Sequence, residues 1–229
     1  MARNACTRLL LATMSTLFVS LWLGPSALAS VFITEWMYSP GGSVGEFVEF
    51  TNTGASAVDF TGWSYDDDSR TRGSEDLSAF GMVAPGESVV ITEASAAAFR
   101  TEWSLASGVK VIGGIANNLG RNDEINLYDA ADTLVDRLTF GDQNFPGTIR
   151  TQGKSGRPSS LAALGANDPW LWTLSAVGDV EGSYVSIGGD IGSPGKTSFS
   201  AAVPEPSTHV VILLGLGLLS FMFRRDPRT

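Results

Sequence analysis

Residues 46–52 read Glu-Phe-Val-Glu-Phe-Thr-Asn, a two-residue alternation that sets Val48 and Phe50 on one face of a strand and Phe47, Glu49 and Thr51 on the other. Asn52-Thr53-Gly54 then supplies turn chemistry. Outward from this stretch the same grammar repeats. Strand-like runs cover Val31 to Met37, Val58 to Tyr65, Ser88 to Thr92, Val109 to Ile112, Glu124 to Tyr128, Thr133 to Phe140, Leu171 to Leu174 and Ser183 to Ile187, separated by clusters of Gly, Asn, Asp, Ser and Pro. Only Ala94 to Trp103 reads as helix, with Phe99 and Trp103 four apart on one apolar stripe that would lie against a sheet. Gly141 to Leu164 reads as loop. Short, closely spaced strands of this kind predict an all-β fold, an antiparallel β-sandwich and not a βαβ array.

The order of the motifs is more specific than any one of them. Ile33-Thr34-Glu35-Trp36-Met37-Tyr38-Ser39-Pro40 precedes the 46–52 strand, and Val58-Asp59-Phe60-Thr61-Gly62-Trp63 follows it. Val83-Ala84-Pro85-Gly86-Glu87 then enters the strand Val89-Val90-Ile91, and Asn118 to Ile125 and Val135-Asp136-Arg137 follow it. This succession resembles the lamin-tail domain, an immunoglobulin-like β-sandwich, over about Val31 to Gly141. By that resemblance Trp170 to Gly195 corresponds to the extension of bacterial members, closed by a Trp strand and a Ser-Pro-Gly turn. The resemblance implies a fold and brings no catalytic residues with it. Gly62-Trp63 and Pro85-Gly86 are accounted for by close packing and by turn geometry.

Both ends read as targeting signals. Arg3 and Arg8 precede an apolar run from Leu9 to Leu23, then Gly24-Pro25 and Ala27-Leu28-Ala29, the layout of a secretory signal peptide cut between Ala29 and Ser30 by signal peptidase. At the other end Pro204, Glu205 and Pro206 precede an apolar run from Val210 to Phe223 and a basic end with Arg224 and Arg225. As a helix those 14 residues span about 21 Å, short of the roughly 30 Å hydrocarbon core, so a membrane helix over about 208–223 needs interfacial residues at both ends. The arrangement resembles the PEP-CTERM sorting signal. That resemblance implies recognition by an exosortase, transient anchoring in the inner membrane, processing near the Pro-Glu-Pro triplet, and delivery to the cell envelope or the outside. The expected organisation is therefore a signal peptide (1–29), a lamin-tail-like sandwich (30–141), a loop-rich β extension of the same domain (142–200) and the sorting signal (203–229).

Cys6 and His209 are the only cysteine and histidine, and both fall within these terminal signals. The body thus lacks thiol nucleophiles, histidine bases and cysteine-ligated zinc. Residues 30–202 carry 10 Lys and Arg against 22 Asp and Glu, a net charge of −12 that opposes nucleic-acid binding. Acidity of this kind is ordinarily a solubility feature of the surface. Gly153-Lys154-Ser155 and Gly195-Lys196-Thr197 end like phosphate loops, but Thr148 and Asp190 stand where the first glycine is required.

Two places offer binding chemistry. Asp66, Asp67 and Asp68, with Glu75 and Asp76 nearby, have the oxygen ligands calcium takes, although like-charge runs are usually solvated loops. Trp170 and Trp172, two apart, would share a strand face and stack on sugar rings if exposed, or pack in the core if buried. Glu46 and Glu49 lie three apart on a strand, face opposite ways, and cannot flank one glycosidic bond. The expectation is a non-enzymatic surface or matrix module without a cofactor, its partners exopolysaccharide or envelope components. A carboxylate- or calcium-dependent hydrolase and a carbohydrate-binding module are the alternatives.

Overall fold

The structure, a computed structural model, describes residues 31–42 and 44–199. The cleavage residues Ala27, Ala29 and Ser30 and the sorting residues Pro204, Glu205, Pro206, Arg224 and Arg225 lie outside it. Among the described residues no helix is long and apolar enough to cross a membrane.

The strands in chain order are β1 (Val31–Met37), β2 (Phe47–Asn52), β3 (Val58–Asp59), β4 (Ser64–Asp66), β5 (Glu75–Asp76), β6 (Met82–Val83) and β7 (Ser88–Thr92), followed by the helix α1 (Ala96–Glu102). After it come β8 (Lys110–Gly113), β9 (Asp123–Tyr128), β10 (Leu134–Phe140), β11 (Gly156–Pro158), β12 (Trp172–Leu174), β13 (Tyr184–Val185) and β14 (Ile191–Gly192). One sheet runs β12-β11-β1-β2-β7-β8 and a second runs β10-β9-β4-β5; β3 pairs with β6 and β13 with β14 in separate ribbons. The inner faces share one core. Val31, Ile33, Trp36, Val48, Phe50, Val89 and Ile91 from the first sheet meet Tyr65, Ile125, Leu127, Leu138 and Phe140 from the second. A register shift between Ile33 and Glu35 changes the alternation, so Val31, Ile33 and Trp36 all reach this core.

Several sequence expectations are corrected. The first sheet is not wholly antiparallel: β7 and β8 pair in parallel, Val89 opposite Lys110, because α1 carries the chain back to its starting edge between them. The run Val58 to Tyr65 is two strands, broken at Gly62, whose φ of +79° and the Trp63 N–H donating to Phe60 O mark a turn. Gly156–Pro158 is a strand inside a segment that reads as loop. It is three residues long and starts with a glycine whose Cβ would lie 2.7 Å from Ile149 Cδ1 and 3.0 Å from Trp36 Nε1, so close approach replaces alternation as its signal.

The outer face of the first sheet is also buried. Phe47, Glu49 and Thr51 sit opposite Val48 and Phe50 as the alternation requires, yet all five are shielded from water. α1 covers one half: Ser95 caps it by accepting from Ala98 N, and Phe99 and Trp103 pack on Phe47 at 5.3 and 5.7 Å between ring centroids. The other half lies beneath residues 193–195.

Candidate functional site

On the polar half of that outer face Glu35 and Glu49 stand opposite each other across β1 and β2, 1% and 0% exposed. Ser155 Oγ and the Ser193 N–H (2.7 Å) donate to Glu35 Oε1, and Ser193 Oγ donates to Oε2 at 3.2 Å. Thr34 Oγ1 donates to Glu49 Oε1 at 2.6 Å, while the Gly195 N–H donates to Oε2 at 2.7 Å. Thr51 and Ser88 hydroxyls extend the network at 2.7 Å. Burial raises the Glu35 carboxyl to about 7 against the lowering effect of these donors, and burial with the neighbouring Glu35 charge lifts Glu49 well above the usual range. Two carboxylates do meet here, but they are sealed beneath the strap of residues 193–195 and line no cleft.

Other buried acids hold the extension in the same way. Glu102 accepts from Ser186 Oγ at 2.7 Å and from the Gly188 N–H; Asp190 accepts from the Gly41 and Gly42 N–H groups at 2.6 and 3.2 Å; Glu181 accepts from Ser198 N and Oγ. Arg157 and Asp179 form an ion pair at 2.7 Å with side chains only 14% and 7% exposed. Nine acidic residues are buried among those described, so the negative charge is only in part a solvated surface. A Gly- and Ser-rich chain supplies N–H and hydroxyl donors without much apolar area, and carboxylates are the acceptors that satisfy them.

The Asp66-Asp67-Asp68 run is similarly occupied with local structure. Asp66 is fully buried: Oδ1 accepts from Asn117 Nδ2 at 2.6 Å, and Oδ2 from Ser69 Oγ at 2.7 Å and Thr71 N at 2.5 Å. Asp67 Oδ1 accepts from Ser69 N, and the Asp68 N–H donates to Asp123. The Asp66 and Asp67 carboxylates and the Asp68 N–H fix a loop, and no group of three or more His, Cys, Asp or Glu among the described residues is placed to hold a metal ion.

Trp170 and Trp172 do not share a face. Pro169–Leu171 is a single 3₁₀ turn capped by Asp168, so Leu171 falls out of the expected strand and Trp170 is rotated away from Trp172 at the start of β12. Trp172 is 6% exposed in the common core, whereas Trp170 is 57% exposed. Trp170 meets Phe145 edge to face, 5.4 Å between centroids at 85°. The two rings flank a cleft of about 460 Å³ that Thr139, Asn167, Asp168 and Pro169 complete. Phe145 and Asn167 come from loops without periodicity, so neither carries a sequence signal that would have joined it to Trp170.

Two sheets over one core, with loop-borne polar groups and no triad-like or metal-like arrangement among the described residues, define a β-sandwich of immunoglobulin-like kind. Residues 24–142, just over half the chain, match the family model of the Lamin Tail Domain, and the chain belongs to that family. Residues 202–225 match the PEP-CTERM protein-sorting motif. That motif makes this an exported protein processed by an exosortase, held transiently in the membrane before processing and ending at the cell envelope or outside it. No curated protein and no solved structure matches the chain.

Proposed function

We propose that the mature protein is a non-enzymatic structural or binding module of the cell envelope or extracellular matrix, made by cleavage near Ser30 and near Pro206. The observation that carries this reading is the order of parts. Ser198 is tied to Glu181, and the sorting motif begins after it, at residue 202. Cutting near Pro206 therefore leaves both sheets and the strap over Glu35 and Glu49 intact. The sealed position of that carboxylate pair supports a role in holding the extension, not in hydrolysis.

Intact mass of the protein recovered from its native host, separately from envelope and medium, tests the reading. Ends at Ser30 and near Pro206 are expected, and added mass at the new C-terminus would identify an attached envelope component. A chain still ending at Thr229 in the inner membrane would overturn it.

A further inference from the structure

We propose that the cleft between Phe145 and Trp170 binds a sugar ring of a neutral polysaccharide, an inference that rests on the reading of the protein as an envelope or matrix module. Trp170 is a large, exposed aromatic ring in a molecule that buries Trp36, Trp103 and Trp172. Whichever ring presents its edge in the contact with Phe145, at least one indole face is left free of Phe145. The π face of an indole is electron-rich and attracts the C–H groups that line one side of a pyranose.

The rest of the cleft supplies polar groups for the hydroxyls. Asn167 Oδ1 accepts from the Thr139 N–H at 2.6 Å, and Asp168 Oδ1 from the Trp170 N–H at 3.0 Å. Asn167 Nδ2 and Asp168 Oδ2 have no protein partner among the described residues, leaving one donor and one acceptor beside the ring. These are the complementary groups that a vicinal diol engages. A cleft of about 460 Å³ falls in the range of small-ligand sites, roughly 300–1,000 Å³.

The site is also held in place before any ligand arrives. Asn167 adopts φ +44°, a conformation asparagine tolerates, and is pinned to β10 through Thr139. Pro169 is buried and restricts the backbone ahead of the ring; the Phe145 N–H donates to Gly141 O at 2.8 Å. A fixed ring and fixed polar groups reduce the ordering cost of binding. The charge of −12 over residues 30–202 disfavours uronic-acid and sulfated polymers, which directs the assignment to neutral ones.

The test is affinity electrophoresis of the protein recovered from its host, in native gels containing dextran, hydroxyethylcellulose or galactomannan, with alginate as the anionic control. A form that keeps Thr229 is run in detergent. Retardation by at least one of the three neutral polymers is expected. Trp170→Ala should weaken it by about tenfold or more, with Trp170→Phe intermediate and the melting temperature of both unchanged. Failure of all three neutral polymers to retard the protein, retardation by alginate alone, or equal retardation of Trp170→Ala overturns the proposal. So does a Trp170→Ala variant that changes only self-association in sedimentation, which would make the ring a protein contact. Intact mass of the same samples separates the two readings. A correctly processed chain that no neutral polymer retards removes the sugar site alone, and an unprocessed chain that is retarded removes the sorting reading alone.

Discussion

Replacing Glu35 with glutamine should make the protein less sensitive to alkaline pH without dismantling the strap above it. In the unfolded chain this carboxyl titrates near 4.5; in the fold burial holds it at about 7. Between these values the folded state keeps a proton that the unfolded state has released. Its contribution is therefore complete below about pH 4.5 and is lost as pH rises through about 7. The gap corresponds to about 3 kcal/mol, and at 1% exposure little of it is screened by water. Glu49 is raised partly by the Glu35 charge, so the variant also relieves its partner. Glu46, raised to about 8, and Asp136, raised to about 6, both by burial, act with the same sign and leave a residual slope in the variant. Urea unfolding of the processed protein, followed by tryptophan fluorescence from pH 5 to pH 8, gives the profile. Wild type should lose stability across that window and Glu35→Gln should lose clearly less. Glu35→Ala should be weaker by about 2 kcal/mol at pH 5, because the buried Ser193 N–H is then left without its acceptor, and this deficit should shrink toward pH 8 as the wild-type carboxyl loses its own contribution. A wild-type profile that is flat or rising, or a Glu35→Gln slope equal to it, would refute the account of a protonated buried pair.

Other perturbations separate packing from surface. Gly113→Ala would place a Cβ 2.2 Å from Ala96 N and 2.4 Å from Ala94 O, backbone atoms at the start of α1, and should lower the melting temperature by several degrees, a cost of about 2–3 kcal/mol. Phe99→Ala opens the contact between α1 and Phe47 and should cost about 3–5 kcal/mol in denaturant unfolding. Trp172→Ala should be similarly costly while Trp170→Ala stays within about 0.5 kcal/mol; equal effects would contradict the 3₁₀ turn that parts the two rings. Millimolar Ca²⁺ or a chelator should move the melting temperature by less than about 1 °C, and a shift of several degrees would show a cation site where Asp66 is read as a loop organiser.

Much of the strand pattern was legible because alternation is a local property. β1 and β7 begin and end where the runs Val31 to Met37 and Ser88 to Thr92 do, and the helical stripe of Phe99 and Trp103 lies on the sheet as its spacing requires. Strand direction was not legible, since the β7 to β8 return depends on where α1 packs. Nor was β11, whose three residues join β1 through a glycine approach without a periodic pattern. The sugar-sized cleft was half legible. Trp170 stood out as an indole, but its exposure, its separation from Trp172 and its pairing with Phe145 depend on one capped turn and a distant loop.

The acids show most clearly how the two levels divide. Sequence by itself determined the sorting signal, because an ordered extended, apolar and basic segment is read locally by the processing machinery, and it determined the β class, because side-chain period is set by the backbone. It also determined that the body has no thiol or imidazole chemistry. Only the tertiary structure decided which of the 22 acidic residues face water and which, like Glu35 and Glu49, are enclosed as acceptors for a strap some 145 or more residues further along the chain. Charge is a property of a residue, whereas desolvation is a property of everything packed around it, and the latter exists only once Ser193 and Gly195 have come to rest on β1 and β2.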